Sequence, residues 1–417
     1  MIDRDLFHKL STRIDTYEKA MIEMQAAFTA LPALSPDSGG QGEYEKAQYL
    51  LCQLREWGFP DITEINAPDA RVPSGCRPNI LAGLPGRNPE MTVWILTHLD
   101  IVPPGELSFW DSDPYRVSVK GRRVYGRGTE DNQQDMVSSL FAAKAFLDEG
   151  ILPEASIGLA FVSDEETGSQ FGLDFVLKNV RNPFRMTDLI IVPDAGNDEG
   201  TMIEIAEKSI LWLKFKTTGK QCHGSKPHLG RNAFLAASHL IVELSKLYQL
   251  YSKSDLLYEP PVSTFEPTRK DANVPNINTI PGEDVFFMDC RVLPDYSLLD
   301  ILLEIRRMAD KIQDQFDVII EITAVQENQA ALPTSENAPV IRALQNAIKE
   351  VYSAEAFPGG IGGGTVAAHF RKQGYPVAVW SRLGQMAHQP NEFCSIDTML
   401  GNAKIYAHLF LQKQNSN

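Results

Sequence analysis

Five short segments of this 417-residue chain hold side chains able to bind a cation or move a proton. Thr97-His98-Leu99-Asp100 closes an apolar run, Met91–Thr97. In extended chain, residues two apart share a face, so Asp100 can reach the ring of His98. Carboxylates stand behind metal-bound histidines in this way, although a plain hydrogen-bonded pair fits the same spacing. Asp131 ends Tyr125-Gly-Arg-Gly-Thr-Glu-Asp131 just before a helical pattern. It reads either as a helix N-cap or as a ligand. Asp164, Glu165 and Glu166 follow the apolar run Ser156–Ser163. Three consecutive carboxylates are costly there unless water or a cation neutralises them. They form either a solvated acidic turn or a pair of glutamates that divide the work of ligand and base. Asp194 stands directly beyond Ile191-Val-Pro, and His388 lies in Met386-Ala-His388-Gln-Pro-Asn-Glu392. Together these segments supply two histidines and three carboxylates as ligands, with one carboxylate to spare. Imidazole and carboxylate suit Zn²⁺, with Co²⁺ or Mn²⁺ able to replace it. The four negative charges of Asp131, Glu165, Glu166 and Asp194 would balance two such ions.

Such residues act together only if the chain gathers them. Leu6, Leu10, Ile14, Tyr17, Met21, Met24 and Phe28 recur every three or four positions and predict one long first helix. After a breaker-rich stretch, Leu31–Gly40, a second helix is expected over 43–57, stopping at Gly58 and Pro60. Short apolar runs then alternate with helical patterns: Met91–Thr97, a helix over 132–147, Ser156–Ser163 and Asp188–Pro193, with Pro376–Ser381 returning late. That alternation predicts a layered α/β sheet. Functional sites of open α/β sheets gather beyond the carboxyl ends of the strands, where three of the five segments fall. Between these elements the order is strand 209–218, helix 232–250, strands 273–280 and 284–292, helix 296–316 and strand 317–325. This is βαββαβ, the ferredoxin-like split unit. It predicts an inserted domain, 207–326, within a metal-binding domain of residues 1–206 and 327–417.

The bulk composition narrows the function. At roughly 100–200 residues per domain, the length suggests about two to four domains. A net charge of −15 lacks the basic footprint of a nucleic-acid binder. No apolar run approaches the ~20 residues of a membrane span, and Met1–Leu10 lacks a signal peptide's apolar stretch. Five scattered cysteines without a Cys-x-x-Cys pair fit a reducing cytoplasm. There is no Gly-x-Ser-x-Gly nucleophile elbow, and Gly359–Gly364 has no Lys-Ser/Thr of a phosphate loop.

The ordered set of His-x-Asp (His98–Asp100), Gly-Arg-Gly-x-x-Asp (126–131), Glu165-Glu166, Asp194 and a late His388 resembles a known family. It comprises the zinc amidohydrolases and peptidases that include acetylornithine deacetylase, succinyl-diaminopimelate desuccinylase, glutamate carboxypeptidase and several dipeptidases. The resemblance runs over nearly the whole chain. It implies a zinc-peptidase-like α/β catalytic domain with the inserted ferredoxin-like unit as lid and dimerisation domain, hence a homodimer. It implies two Zn²⁺ per subunit, one held by His98 and Asp194, the other by Glu166 and His388, with Asp131 between them. Asp100 is then the partner of His98, and Glu165 the general base. His223, in Gly219-Lys-Gln-Cys-His223, matches a lid histidine that polarises the scissile carbonyl; the alternative is a surface loop residue. Asn278, Arg291 and the loop Gly363-Gly364-Thr365 match substrate-side motifs. Arg291 shares no face with Phe286, Met288, Cys290 and Val292, so it could hold a substrate carboxylate or a structural salt bridge. The glycines could instead make only a tight turn. Two departures stand out: Asn132-Gln-Gln follows Asp131 where deacylases carry Lys-Gly, and Asp194 stands where many have Glu. The expected activity is hydrolysis of an amide bond in an N-acyl amino acid or short peptide. A dedicated succinyl-diaminopimelate desuccinylase or acetylornithine deacetylase is the alternative. A non-catalytic binding homologue would have lost a ligand or the base, and neither is missing.

Overall fold

Apolar runs without polar alternation become strands buried on both faces, the usual state of a parallel sheet. In the computed structural model, which describes residues 2–179 and 182–413, they do so here. Ala155–Val162, Asn88–His98, Leu189–Asn197 and Val377–Arg382 lie side by side and parallel. Ile80–Leu84 and Asp61–Glu64 extend the sheet antiparallel at one end; at the other, Met202–Glu207 runs antiparallel to Val377–Arg382 and Phe357–Ile361 lies beside it, making eight strands. One face carries Trp94, Leu96, Val162, Ile190, Val192 and Val379 against Leu173, Val176, Phe184 and Phe370. Helix Gln133–Glu149 is buried along most of its length and packs with helix Ile396–Phe410. Gly150, in the left-handed region at φ 61°, ends the former, a conformation that costs glycine little.

The chain divides into two compact units. The first comprises residues 1–205, 334–358 and 365–417; the second comprises 206–333 together with 359–364. The second contains an antiparallel sheet in the order Thr264–Lys270, Glu283–Val292, Ser209–Thr218, Ile319–Asn328. Leu211, Leu213 and Phe215 alternate into a core with Phe286, Met288, Cys290 and Val292, beneath helices Ala233–Leu244 and Leu298–Phe316. The Phe215 and Phe286 rings stack 4.5 Å apart. Asn232 and Ser297 cap the two helices by accepting from Leu235 N and Asp300 N, each cap worth about 1 kcal/mol.

Three expected elements differ, one being the helix over 232–250, which is broken into Ala233–Leu244 and Leu247–Leu250. The first helix is broken into Arg4–Asp15 and Glu18–Thr29. Thr16 turns its hydroxyl back onto the Arg13 carbonyl, a local bond that competes with the helical ladder. The unit's second strand is Thr264–Lys270 rather than 273–280, of which only Thr279–Ile280 is extended in a strand. Pro267 hides the true strand from a propensity reading, but proline is tolerated on an edge strand, and this strand is at the edge. Among the described residues no helix is long and apolar enough to cross a membrane.

Candidate metal centre

Parallel strands that end along one edge of the sheet bring their last residues together. Strand Asn88–His98 ends on His98, whose buried ring places Nε2 3.0 Å from Asp131 Oδ1 and 3.4 Å from Asp194 Oδ1. Its Nδ1 faces Asp100, 3.0 Å from the carbonyl and 3.6 Å from Oδ1. The Asp100 carboxylate also accepts from the backbone N–H groups of Glu165, at 3.1 Å, and Glu166, at 3.0 Å. It therefore ties the acidic turn to the histidine it backs. Asp194 lies within strand Leu189–Asn197 rather than beyond it. On the other side, His388 Nε2 lies 3.1 Å from Asp131 Oδ2 and 3.2 Å from Glu166 Oε2. Asp131 thus offers one oxygen to each histidine. It does not cap the helix; the N-cap is Asn132, which donates to the Pro193 carbonyl at 2.6 Å and to Asp194 Oδ1 at 3.3 Å. The residue that departs from the deacylase pattern thereby steadies a predicted ligand.

These donors form two groups of three, His98–Asp131–Asp194 and Asp131–Glu166–His388, with donor atoms within 4.8 Å of one another in each. The nitrogen and oxygen set fits a zinc-like divalent ion. So does Glu166 Oε1, a buried carboxylate oxygen with no hydrogen-bond partner, which is costly to leave unsatisfied. The electrostatics point the same way. Burial alone would lower His98, but Asp100, Asp131 and Asp194 outweigh it and raise it well above its ordinary value. Hydrogen bonds to Asp131 and Glu166 raise His388 to about 10. Burial opposes ionisation of Asp131, yet the two histidines hold it low. Burial, reinforced by Asp194 and Glu166, lifts Glu165 well above the usual carboxylate range; burial and Asp131 raise Glu166 to about 7. The cluster draws positive charge, which protons or metal ions can supply.

Several supporting residues carry no motif. Lys46 is buried and donates to the Leu99 carbonyl at 2.9 Å; burial lowers it to about 8. Arg77, fully buried, pairs with Glu43, which also accepts from Asp164 N at 3.2 Å and so braces the turn bearing Glu165. Glu130 and Glu392 are likewise buried. Nothing in their local sequence separates these five from surface charges.

The predicted substrate-side residues belong to the second unit, except Thr365 in the first. His223 pairs in register with Thr279, and Asn278 accepts from Gly224 N at 2.7 Å through its carbonyl, so the two are neighbours. His223 Nδ1 receives the Ser225 N–H at 3.2 Å, leaving Nε2 as the proton-bearing nitrogen. Arg291 donates Nε and Nη2 to Asp289, at 2.7 and 3.0 Å, and Nη1 to the Gly362 carbonyl at 2.9 Å. Its fork is held by an internal ion pair, and it braces the loop of Gly363 and Gly364.

Comparison with known proteins gives a consistent picture. An uncharacterized metallohydrolase of Methanococcus maripaludis is 40% identical over 406 residues, covering 92% of this chain and 97% of that protein. A succinyl-diaminopimelate desuccinylase of Methylocella silvestris is 25% identical, covering 93% and 96%. Human carnosine dipeptidase 1 shares the fold at a TM-score of 0.76 and 16% identity, covering 97% of this chain and 98% of that one. The model of peptidase family M20/M25/M40 matches residues 94–412. This chain belongs to that family, and is a hydrolase of amide or peptide bonds.

Proposed function

We propose that the chain hydrolyses the amide bond of an N-acyl amino acid or short peptide, with His98, Asp131, Glu166, Asp194 and His388 holding two Zn²⁺. The observation that carries this is the pair of three-donor groups sharing Asp131, with Glu165 alongside. Ions bound there would polarise the carbonyl and bring the pKa of water toward neutrality. Glu165 takes the proton from the attacking water. Among the described residues its carboxylate has no hydrogen-bond partner, and its backbone is fixed by Asp100. It then returns the proton to the leaving amine. His223 donates from Nε2 to the developing oxyanion. Asn278, Gly363, Gly364 and Thr365 would contact the substrate; Arg291 would do so only by sharing its guanidinium with Asp289. A homodimer assembled through the second unit and a cytoplasmic location complete the reading. A dedicated succinyl-diaminopimelate desuccinylase is favoured by the Methylocella silvestris relative; Asn132 and Asp194 weigh against it. The test is a hydrolysis screen of zinc- and cobalt-loaded protein over acyl-amino acids, dipeptides and succinyl-diaminopimelate. Turnover of a dipeptide or general acyl-amino acid supports the proposal, and turnover of succinyl-diaminopimelate alone supports the second reading. Metal uptake without hydrolysis of any of them refutes both.

A further inference from the structure

Asp131 and His388 come from irregular segments, between strand Arg123–Tyr125 and helix Gln133–Glu149 and between strands Val377–Arg382 and Phe393–Ser395. The strands Arg123–Tyr125 and Phe393–Ser395 pair with each other and join one end of each loop, but the residues around Asp131 and His388 are irregular, and His388 is half exposed with its backbone in the left-handed region at φ 63°. Each loop nevertheless presents backbone N–H groups to a carboxylate of the other. Glu392, completely buried, accepts from Gly128 N at 2.9 Å, Glu130 N at 2.9 Å and Asp131 N at 3.1 Å, and from Arg127 at 2.6 Å. Glu130, also buried, accepts from Gly384 N and Met386 N, each at 2.5 Å. The residue before Asp131 therefore holds the chain leading into His388, and the residue four after His388 holds the backbone of Asp131.

Resting on the metal-site reading above, we propose that Glu130 and Glu392 form a reciprocal clasp that fixes the separation of Asp131 and His388, acting as positioning residues for metal capture. Burying two carboxylates is expensive, and apolar residues of similar size would pack the space more cheaply. What acids supply is acceptors for loop N–H groups, four of them with two loops ordered at once. Ordering a loop residue costs roughly 1–2 kcal/mol; a clasp made before the ion arrives removes that cost from binding. Outer residues of this kind govern metal affinity by about 10–100-fold.

The test uses apo protein of the full chain titrated with Zn²⁺ by calorimetry, comparing Glu130→Gln, Glu392→Gln and the double variant. Each glutamine keeps one acceptor oxygen and turns an NH₂ group toward N–H donors. Each single variant is expected to weaken binding at least about 10-fold, and the double variant by less than the product of the singles, because both act on one pair of loops. Hydrogen exchange of the apo protein gives a second readout. Gly384 and Met386 amides should exchange faster in Glu130→Gln, and Gly128 and Asp131 amides in Glu392→Gln. Asp188→Asn, buried in the same unit at the opposite end of strand Leu189–Asn197, where it accepts from Thr92 N and Trp94 Nε1, should alter neither readout. Should Glu392→Gln fail to fold for want of a partner for Arg127, Glu130→Gln decides alone, since among the described residues no buried cation pairs with Glu130. A folded Glu130→Gln protein with wild-type affinity overturns the clasp while leaving the proposed function intact. Wild-type protein that takes up no metal overturns the proposed function first.

Discussion

Asp135 provides a measurement of what burying charge costs this fold. It lies one turn beyond Asp131 and is completely buried. Its carboxylate accepts from Ser381 Oγ at 2.5 Å, Tyr406 OH at 2.5 Å, Asn402 Nδ2 at 2.9 Å and Gln134 Nε2 at 3.4 Å. Burial outweighs those donors and lifts it to about 6 from an ordinary 3.8. The folded chain thus holds this proton more tightly than the unfolded chain. Stability contributed by the protonated form is present below about pH 4, falls as pH rises through this window, and stays lost above pH 6. At ~1.4 kcal/mol per pH unit, the loss is about 3 kcal/mol. Asparagine has the same shape and no proton to lose. Its oxygen can accept from Tyr406 and Asn402 while its amide donates to Ser381 Oγ. Urea unfolding of wild type and Asp135→Asn at pH 4, 5, 6 and 7, with chelator present so that metal binding adds no pH dependence, reads the difference directly. The stability gap should move by about 3 kcal/mol in favour of the variant between pH 4 and 7. A gap that stays constant with pH would refute the assignment of the cost to this carboxylate.

His408 should titrate in the opposite sense. Burial lowers it to about 4 from 6.5, so the unfolded chain takes up this proton first and stability falls as pH drops from 6.5 towards 4. Relative to His408→Gln in the same unfolding series, wild type should lose about 3 kcal/mol over that range. For the chemistry, Glu165→Ala should bind metal normally by calorimetry and lose at least ~10²–10⁴-fold in kcat. Near-normal turnover in that variant would exclude it as the base.

The fold was legible where burial leaves a local mark. Strands covered on both faces read as unbroken apolar runs, as in Ser156–Ser163. The half-buried second-unit strands read by alternation, as at Phe286, Met288, Cys290 and Val292. It was illegible where a local signal contradicts the tertiary setting: Pro267 sits in a strand because that strand is an edge, and Thr16 breaks a helix whose apolar period continues through it.

The candidate site divides along the same line. By residue type and order, the sequence alone marked His98, Asp131, Glu165, Glu166, Asp194 and His388 as candidates, because metal chemistry restricts the donor types and their ordered set resembles that of the family. Only the tertiary structure decided which oxygen of Asp131 faces which histidine, that Asn132 serves Asp194, that Asp289 occupies Arg291, and that Glu130 and Glu392 are buried rather than solvated. Those facts depend on segments 254 residues apart lying side by side. Strand order and loop packing bring them there, and no local pattern of side chains encodes that proximity.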